Sequence, residues 1–376
     1  MYAVDTEWPA DSVEFCPHPD AVNILVCGTY NLEKADPVTS SETADDGFQP
    51  QASQRKQLRR GKCMLFALEH TNQSAKGYTG NKLQEVASPA VPDLKWCHRA
   101  QSERPMLVAA NTEGRVSLHE YVGEECLLKQ VQQIECTTAD ILCLSVDWSN
   151  RRYQSSLTRD LGNLVVSMSD GSVALLRPSN TSGLTVTDTW RAHDFEPWIA
   201  AWNYWNTYAI YTGGDDLKMK GWDTRQGFSQ PTFVNKRFDA GVTTVQSHPY
   251  VEHLLAVGSY DDKVRLFDAR KPLVPLTEVN VGGGAWRVKW HPSPERRDDL
   301  LVACMHDGCK MLRFRNLTGS EISNLDITVT QHFVEHKSMA YGADWSHAYS
   351  MARKDSNDSL IASCSFYDHV LHLWQG

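Results

Sequence analysis

The residues best suited to chemistry sit in a few short stretches far apart in the chain. They are His306 in "CMHDG", Trp286 and Arg287 in "GGGAWR", and Glu196 and Trp198 in "DFEPW". Asp11 and Ser12 near the beginning and Tyr341 near the end join them. An imidazole exchanges a proton near neutral pH. Tryptophan and tyrosine rings set around a void attract a quaternary ammonium group through their π faces. No G-x-S-x-G elbow, H-E-x-x-H pair or phosphate-binding loop accompanies them. Residues this dispersed can act together only if the fold gathers them.

A repeat supplies the gathering. "TGGDDLKMKGWD" (212–223), "VGSYDDKVRLFD" (257–268) and "ACMHDGCKMLRF" (303–314) align without gaps: small residues, an acidic turn, then an alternating strand. "AANTEGRVSLHE", "VSMSDGSVALLR", "SCSFYDHVLHLW" and, with a swollen turn, "LVCGTY…GKCMLFAL" fit the same template. Equivalent positions at Leu176, Trp222, Phe267 and Arg313 are spaced 46, 45 and 46 residues apart. A period of about 40–45 residues with endings such as "GWD" and "LFD" marks the blades of a WD40 propeller. Ahead of each template runs a strand that ends in an aromatic residue in six of seven cases, the exception being "TTVQSHP". The expected fold is all-β: one seven-bladed WD40 β-propeller domain spanning residues 1–376.

The last unit offers three strands and lacks a fourth, while "YAVDT" at the start alternates like a strand. The amino terminus is therefore expected to close the last blade, which removes an exposed sheet edge. Residues 31–60, rich in Ser, Thr, Gln and charge, are expected to form a disordered insertion between the second and third strands of blade 1. Its basic run "RKQLRR" (55–60) reads as a solvated loop.

In such a blade the loop entering the inner strand and the acidic turn share the top face. His193 and His336, each nine residues before a strand-ending Trp, are expected to pair with the turn aspartates Asp216 and Asp368 and to fasten their own blades. His18, His98, His248 and His291 fall at bottom-face turns. His306 and His369 are left on top, and nothing in the blade template requires His306. Asp11, Ser12, Trp198, Trp286, Arg287 and Tyr341 ring the channel mouth, with Glu196 on the same rim and Tyr260 and Tyr367 at neighbouring turn positions. The aromatic residues read either as a cage for a cation or as a plug of the channel.

With 46 acidic and 37 basic residues the net charge is −9, which weighs against a nucleic-acid binder. No apolar run is long enough to cross a membrane, and no secretory leader is visible. The ten cysteines are scattered without metal-ligand spacing and read as reduced thiols of a cytoplasmic protein, the nucleus remaining open. Neither a metal nor another cofactor is expected, and the chain reads as a monomer.

"VDTEWPADSVEFCP", "HDFEPWIAAWNYW", "YTGGDDLKMKGWDTR", "GSYDDKVRLFDAR", "GGGAWRVKWHP", "ACMHDG", "YGADWS" and "CSFYDHVLHLW" closely resemble the WD-repeat diphthine methyl ester hydrolases of eukaryotes. The resemblance implies an enzyme of diphthamide biosynthesis. Its partner would be translation elongation factor 2 carrying a modified histidine with a trimethylammonium group and a methyl ester. Hydrolysis would give diphthine and methanol. Under that reading Trp198, Trp286 and Tyr341, with Tyr260 and Tyr367, would bind the substrate. His306 would act as the base, Arg287 as the oxyanion donor, Ser12 as a conceivable nucleophile and Asp11 or Glu196 as orienting groups. Direct attack by water stays equally open. So do two other readings: a scaffold that binds proteins on its rim, and a reader of methylated lysine.

Overall fold

The computed structural model describes residues 1–33, 57–71, 77–152, 160–179, 183–315, 317, 326–348 and 358–376. They form seven antiparallel sheets, six of four strands and one, blade 1, of five. The inner strands are Ala10–Phe15, Asp93–Trp96, Cys143–Trp148, Ile199–Trp202, Val242–Ser247, Arg287–Trp290 and Ala340–Trp345. Each touches the next, and the seventh touches the first, so the blades close into a ring.

The strand-ending aromatics explain why the blades stack. Phe15, Trp96, Trp148, Trp202, Trp290 and Trp345 are all fully buried. Seven apolar clusters fill the seams, each shared by two neighbouring blades. Burying apolar surface between sheets is the main force holding such a ring.

The strand Tyr2–Asp5 pairs antiparallel with Val370–Gln375 and supplies the outer strand of blade 7, as the alternation of "YAVDT" leads one to expect. The Thr6 hydroxyl adds a hydrogen bond to the His369 carbonyl at 2.9 Å. In blade 1 the second strand, Ile24–Thr29, pairs with Arg59–Thr71, so the insertion does fall between second and third strands. Its ends are ordered, contrary to the expectation of disorder over 31–60. Asn31 and Leu32 ladder with Arg60 and Arg59, Arg59 Nε donates to the Tyr30 hydroxyl at 2.8 Å, and Arg60 pairs with Glu33 at 2.7 Å. The last two residues of "RKQLRR" are thus strand residues, because backbone pairing satisfies their polar groups. Residues 34–56 lie outside the described residues.

Polar side chains on the inner strands tie each blade to the next. Backbone N–H groups donate across the seams from Trp96 to Glu14, from Val146 to Asp93, from Trp202 to Asp147, from Trp290 to Gln246 and from Phe15 to Asp344. The buried carboxylates are in turn matched by cations. Glu14 meets Arg151 and Lys289, Lys289 also reaches Asp344, and Asp93 meets Lys95 and Arg287. Burial is affordable for these charges only because each is paired and hydrogen-bonded.

The histidine positions divide as expected, with one correction. In blade 4 a relay runs from Trp222 Nε1 to the Thr212 hydroxyl (2.9 Å), on to His193 (2.8 Å) and to Asp216 (2.8 Å). In blade 7 His336 does not meet Asp368 directly. Its ring nitrogens meet the Ser363 and Ser365 hydroxyls at 2.7 and 2.8 Å, and Ser365 donates to Asp368. The reason is local. Blade 4 has Gly214 at the equivalent place, where a Cβ would come within 3.1 Å of the His193 ring. At the bottom face His248 Nδ1 accepts from the backbone N–H groups of Tyr250 and Val251, and His291 Nδ1 from that of Ser293, as turn residues do.

Candidate active site

The top end of the channel is built from the starts of inner strands and the turns beside them. Trp198 and Trp286 immediately precede inner strands, and Tyr260 and Phe366 immediately follow second strands. Asp11 and Tyr341 occupy the second position of their inner strands, and at both places the ladder register slips by one residue. A bulge of this kind leaves one residue unpaired and re-aims its side chain.

The aromatic rings form a continuous wall. Trp286 lies 5.6 Å from Trp198, 5.6 Å from Tyr260 and 4.9 Å from Tyr341 between ring centroids. Trp198 also contacts Tyr260 edge to face at 6.3 Å. Tyr341 continues to Phe366 at 5.4 Å, and Phe366 to Tyr30 at 6.0 Å. The Trp198 indole N–H donates to Asp215 at 3.3 Å, which anchors one end of the wall. Tilted and edge contacts at these spacings are the favoured arrangements for aromatic pairs. Trp198, Tyr260, Trp286 and Tyr341 are each only partly buried, and an exposed ring face attracts a cation.

Asp11 stands at this wall. It is only 6 % exposed, and among the described residues its carboxyl accepts no hydrogen bond. That separates it from Glu14, Asp93, Asp147 and Asp344, which each accept a backbone N–H across a seam. Burial pushes the Asp11 carboxyl up to about 8, with Arg287 opposing the shift and Asp93 adding to it. The same carboxyl contributes to raising the Tyr30, Tyr260 and Tyr341 hydroxyls, in each of which burial is the main cause. It therefore lies within electrostatic reach of three rings of the wall. Cys364 in blade 7 also feels it, after burial and its neighbour Cys27.

Arg287 is buried and lies 3.3 Å from the Asp93 carboxylate. Burial alone would raise Asp93, but Arg287 and Lys95 hold it below the usual carboxylate range. A guanidinium, an uncharged carboxyl and a π-faced wall thus share one end of the channel. Beneath them a cavity of about 20 Å³, lined by Lys95, Asp147, Arg151, Tyr204, Gln246 and Arg287 among others, has room for about one water.

Comparison with known proteins bears on the family. No family profile matches the chain. Over 352 residues it is 40% identical to the diphthine methyltransferase of Mus musculus, covering 92% of this chain and 69% of the relative. It is 35% identical to the diphthine methyltransferase of Homo sapiens, with 100% and 98% coverage. A diphthine methyltransferase of Schizosaccharomyces pombe is 28% identical, with 98% and 95% coverage. The chain belongs to the diphthine methyltransferase family. Among solved structures, a chain from a crystal structure of the mitotic checkpoint complex superposes with a TM-score of 0.66 at 15% identity, covering 100% of this chain and 94% of that one. That likeness establishes the propeller fold and nothing of the chemistry.

In this diphthine methyltransferase relative the residues singled out from sequence part into two groups. Trp198, Tyr260, Trp286, Tyr341, Asp11 and Arg287 come together at the mouth. Ser12 turns away: its hydroxyl is buried and donates to the Val91 carbonyl at 3.3 Å, because the bulge gives the mouth to Asp11. His306 sits exposed in the hairpin turn, and among the described residues it makes no hydrogen bond or ion pair. Met305 beside it takes the inward place, its sulfur packed over Gly284. Glu196 contributes its backbone carbonyl, which accepts from the Asp215 N–H at 2.9 Å. Tyr367 is 68% exposed and packs against Phe366 at 5.0 Å between ring centroids.

Phe366, Tyr30 and Asp93 escaped the sequence reading. The signal for Phe366 was present. The stretch from Ser363 to Trp374 is one residue longer than its counterpart from Thr212 to Trp222, although the two ends make the same hydrogen bond. The additional turn residue places Phe366 and Tyr367 at the rim.

Proposed function

We propose that the protein hydrolyses the methyl ester of diphthine methyl ester on translation elongation factor 2, releasing diphthine and methanol. One observation carries this reading: an aromatic wall suited to a trimethylammonium group shares the channel mouth with a buried carboxyl, Asp11, that accepts no hydrogen bond among the described residues, and with a buried guanidinium. The names of the relatives support it by placing the family on diphthine.

In this reading the trimethylammonium group rests against Trp286, Trp198, Tyr260 and Tyr341. The ester carbonyl points to Arg287, whose N–H groups meet the negative charge that develops on its oxygen. Asp11, once ionised, takes a proton from a water molecule as the water oxygen bonds to the ester carbon. The C–O bond to the methoxy group then breaks, and the proton held by Asp11 passes to it, so that methanol leaves and the carboxylate is restored. Water is preferred to a serine route because the Ser12 hydroxyl is occupied by Val91 and lies off the mouth.

The test is to incubate the full-length protein with methyl-esterified elongation factor and to follow the intact mass of the factor. Loss of one CH2 per molecule is expected. Binding with no change in mass would replace this reading with that of a methylammonium reader. Neither binding nor a change in mass would leave a scaffold.

A further inference from the structure

The mouth contains a contradiction that points to a mechanism of binding. A quaternary ammonium group needs a negative partner when it leaves water, and an ester hydrolysed by water needs a base. Asp11 is the residue placed to serve both, yet the protein around it favours the uncharged acid. We propose that Asp11 is a proton-coupled counter-ion: it ionises when a quaternary ammonium group fills the aromatic wall, so that cation binding and proton release are a single event. This rests on the reading of the wall as a cation site and goes beyond it by stating how the site changes on binding.

The geometry supports the coupling. Asp11 stands unpaired in the strand ladder at a bulge and accepts no hydrogen bond among the described residues. The cation whose charge opposes the rise at Asp11, Arg287, is engaged by Asp93 at 3.3 Å. Asp93 is in turn held by Lys95 and by the Val146 N–H at 3.0 Å, so Arg287 is not free to neutralise Asp11 fully. The other titratable groups that feel Asp11 are Tyr30, Tyr260, Tyr341 and Cys364. Burial raises all four, so they are uncharged at neutral pH and supply no counter-charge. An arriving cation is therefore the strongest positive field the carboxyl can receive. An opposite charge within about 4–6 Å favours the ionised form. The balance is simple: the neutral acid and the solvated cation become a carboxylate–ammonium pair, and one proton passes to solvent through the open mouth. The carboxylate so formed is the base that hydrolysis needs, produced only when substrate is in place.

Tetramethylammonium chloride is a sufficient probe, since it carries the cation and no ester. Its affinity for the full-length protein, measured by titration calorimetry, should strengthen about tenfold per pH unit between about pH 6 and about pH 8 and then level off. Repeating the titration at about pH 7 in buffers of different ionisation enthalpy should show close to one proton released per cation bound. Asp11→Asn should bind the probe with a flat pH dependence and no proton release. Trp286→Ala should weaken binding at every pH while keeping the slope. A wild-type affinity that is flat with pH, an Asn variant that keeps the slope, or no binding of the probe at all would each overturn the proposal. The hydrolase reading is judged separately, by the mass of the esterified factor, and can survive any of these results.

Discussion

Asp93 of blade 2 and Arg287 of blade 6 meet at 3.3 Å near the top of the channel. The contact ties down the cation that would otherwise serve Asp11, and so it sets the charge state of the mouth. Replacing Asp93 by Asn should keep the acceptor for the Val146 N–H while removing the charge that repels the Asp11 carboxylate. Arg287 would then be free to serve Asp11, and the Asp11 midpoint should fall from about 8. The pH profile of ester hydrolysis should move to lower pH by the same amount. Losing one partner of a buried pair should also cost about 3 kcal/mol of stability in denaturant unfolding. An unmoved profile in a folded variant would refute this role for Asp93.

Asp11 should leave a mark on folding stability. Its carboxyl ionises near the ordinary value of 3.8 in the unfolded chain and near 8 in the folded one. Its favourable contribution is full below about pH 4 and is lost as pH rises toward 8. The stability of the wild type relative to Asp11→Asn should therefore decline by about 1.4 kcal/mol per pH unit across that window. Unfolding both proteins at several pH values isolates the effect, and a difference that stays constant with pH would contradict it.

Asp11→Asn and His306→Ala should separate cleanly in turnover. Loss of a general base costs about 10²–10⁴-fold, and that loss is expected for Asp11. His306, exposed in its turn, should be replaceable with turnover near that of the wild type. The opposite result would return the base to His306 and require the turn to fold inward over the substrate.

Trp286 touches three other rings of the wall, so its removal should open the cage at its centre. Trp286→Ala should weaken capture of the trimethylammonium substrate by roughly 1–2 kcal/mol, with a smaller effect on the rate at saturation. KM and kcat measured separately decide the matter. A fall confined to kcat would show that the ring acts on the chemical step.

Deleting residues 1–6 should strip blade 7 of its outer strand, together with the Thr6 hydrogen bond to His369 and the Tyr2 hydroxyl bond to the Gly80 carbonyl. A cost on the order of several kcal/mol is expected, a large part of the stability of an ordinary domain. Thermal unfolding measures it. A melting temperature within a degree or two of the full chain would show that ring closure depends little on this strand.

The sequence by itself determined the ring. Alternation, turn aspartates and strand-ending aromatics recur with the period of a blade, and each follows from local rules of pairing and burial that any one repeat displays. The closing strand, the relay through His193 and Asp216, and four rings of the mouth (Trp198, Tyr260, Trp286 and Tyr341) were legible for the same reason, whereas Phe366 and Tyr30 were not. What the tertiary structure decided is which polar residues reach the mouth. Asp11 and Ser12 are adjacent, and simple alternation cannot say that a bulge will send Asp11 to the mouth and Ser12 into the seam with Val91. His306 and Met305 likewise exchange places across a turn. The raised Asp11 carboxyl is visible in no stretch of sequence, because it arises from burial and from Asp93 and Arg287, which come from blades 2 and 6 and meet only when the ring has closed.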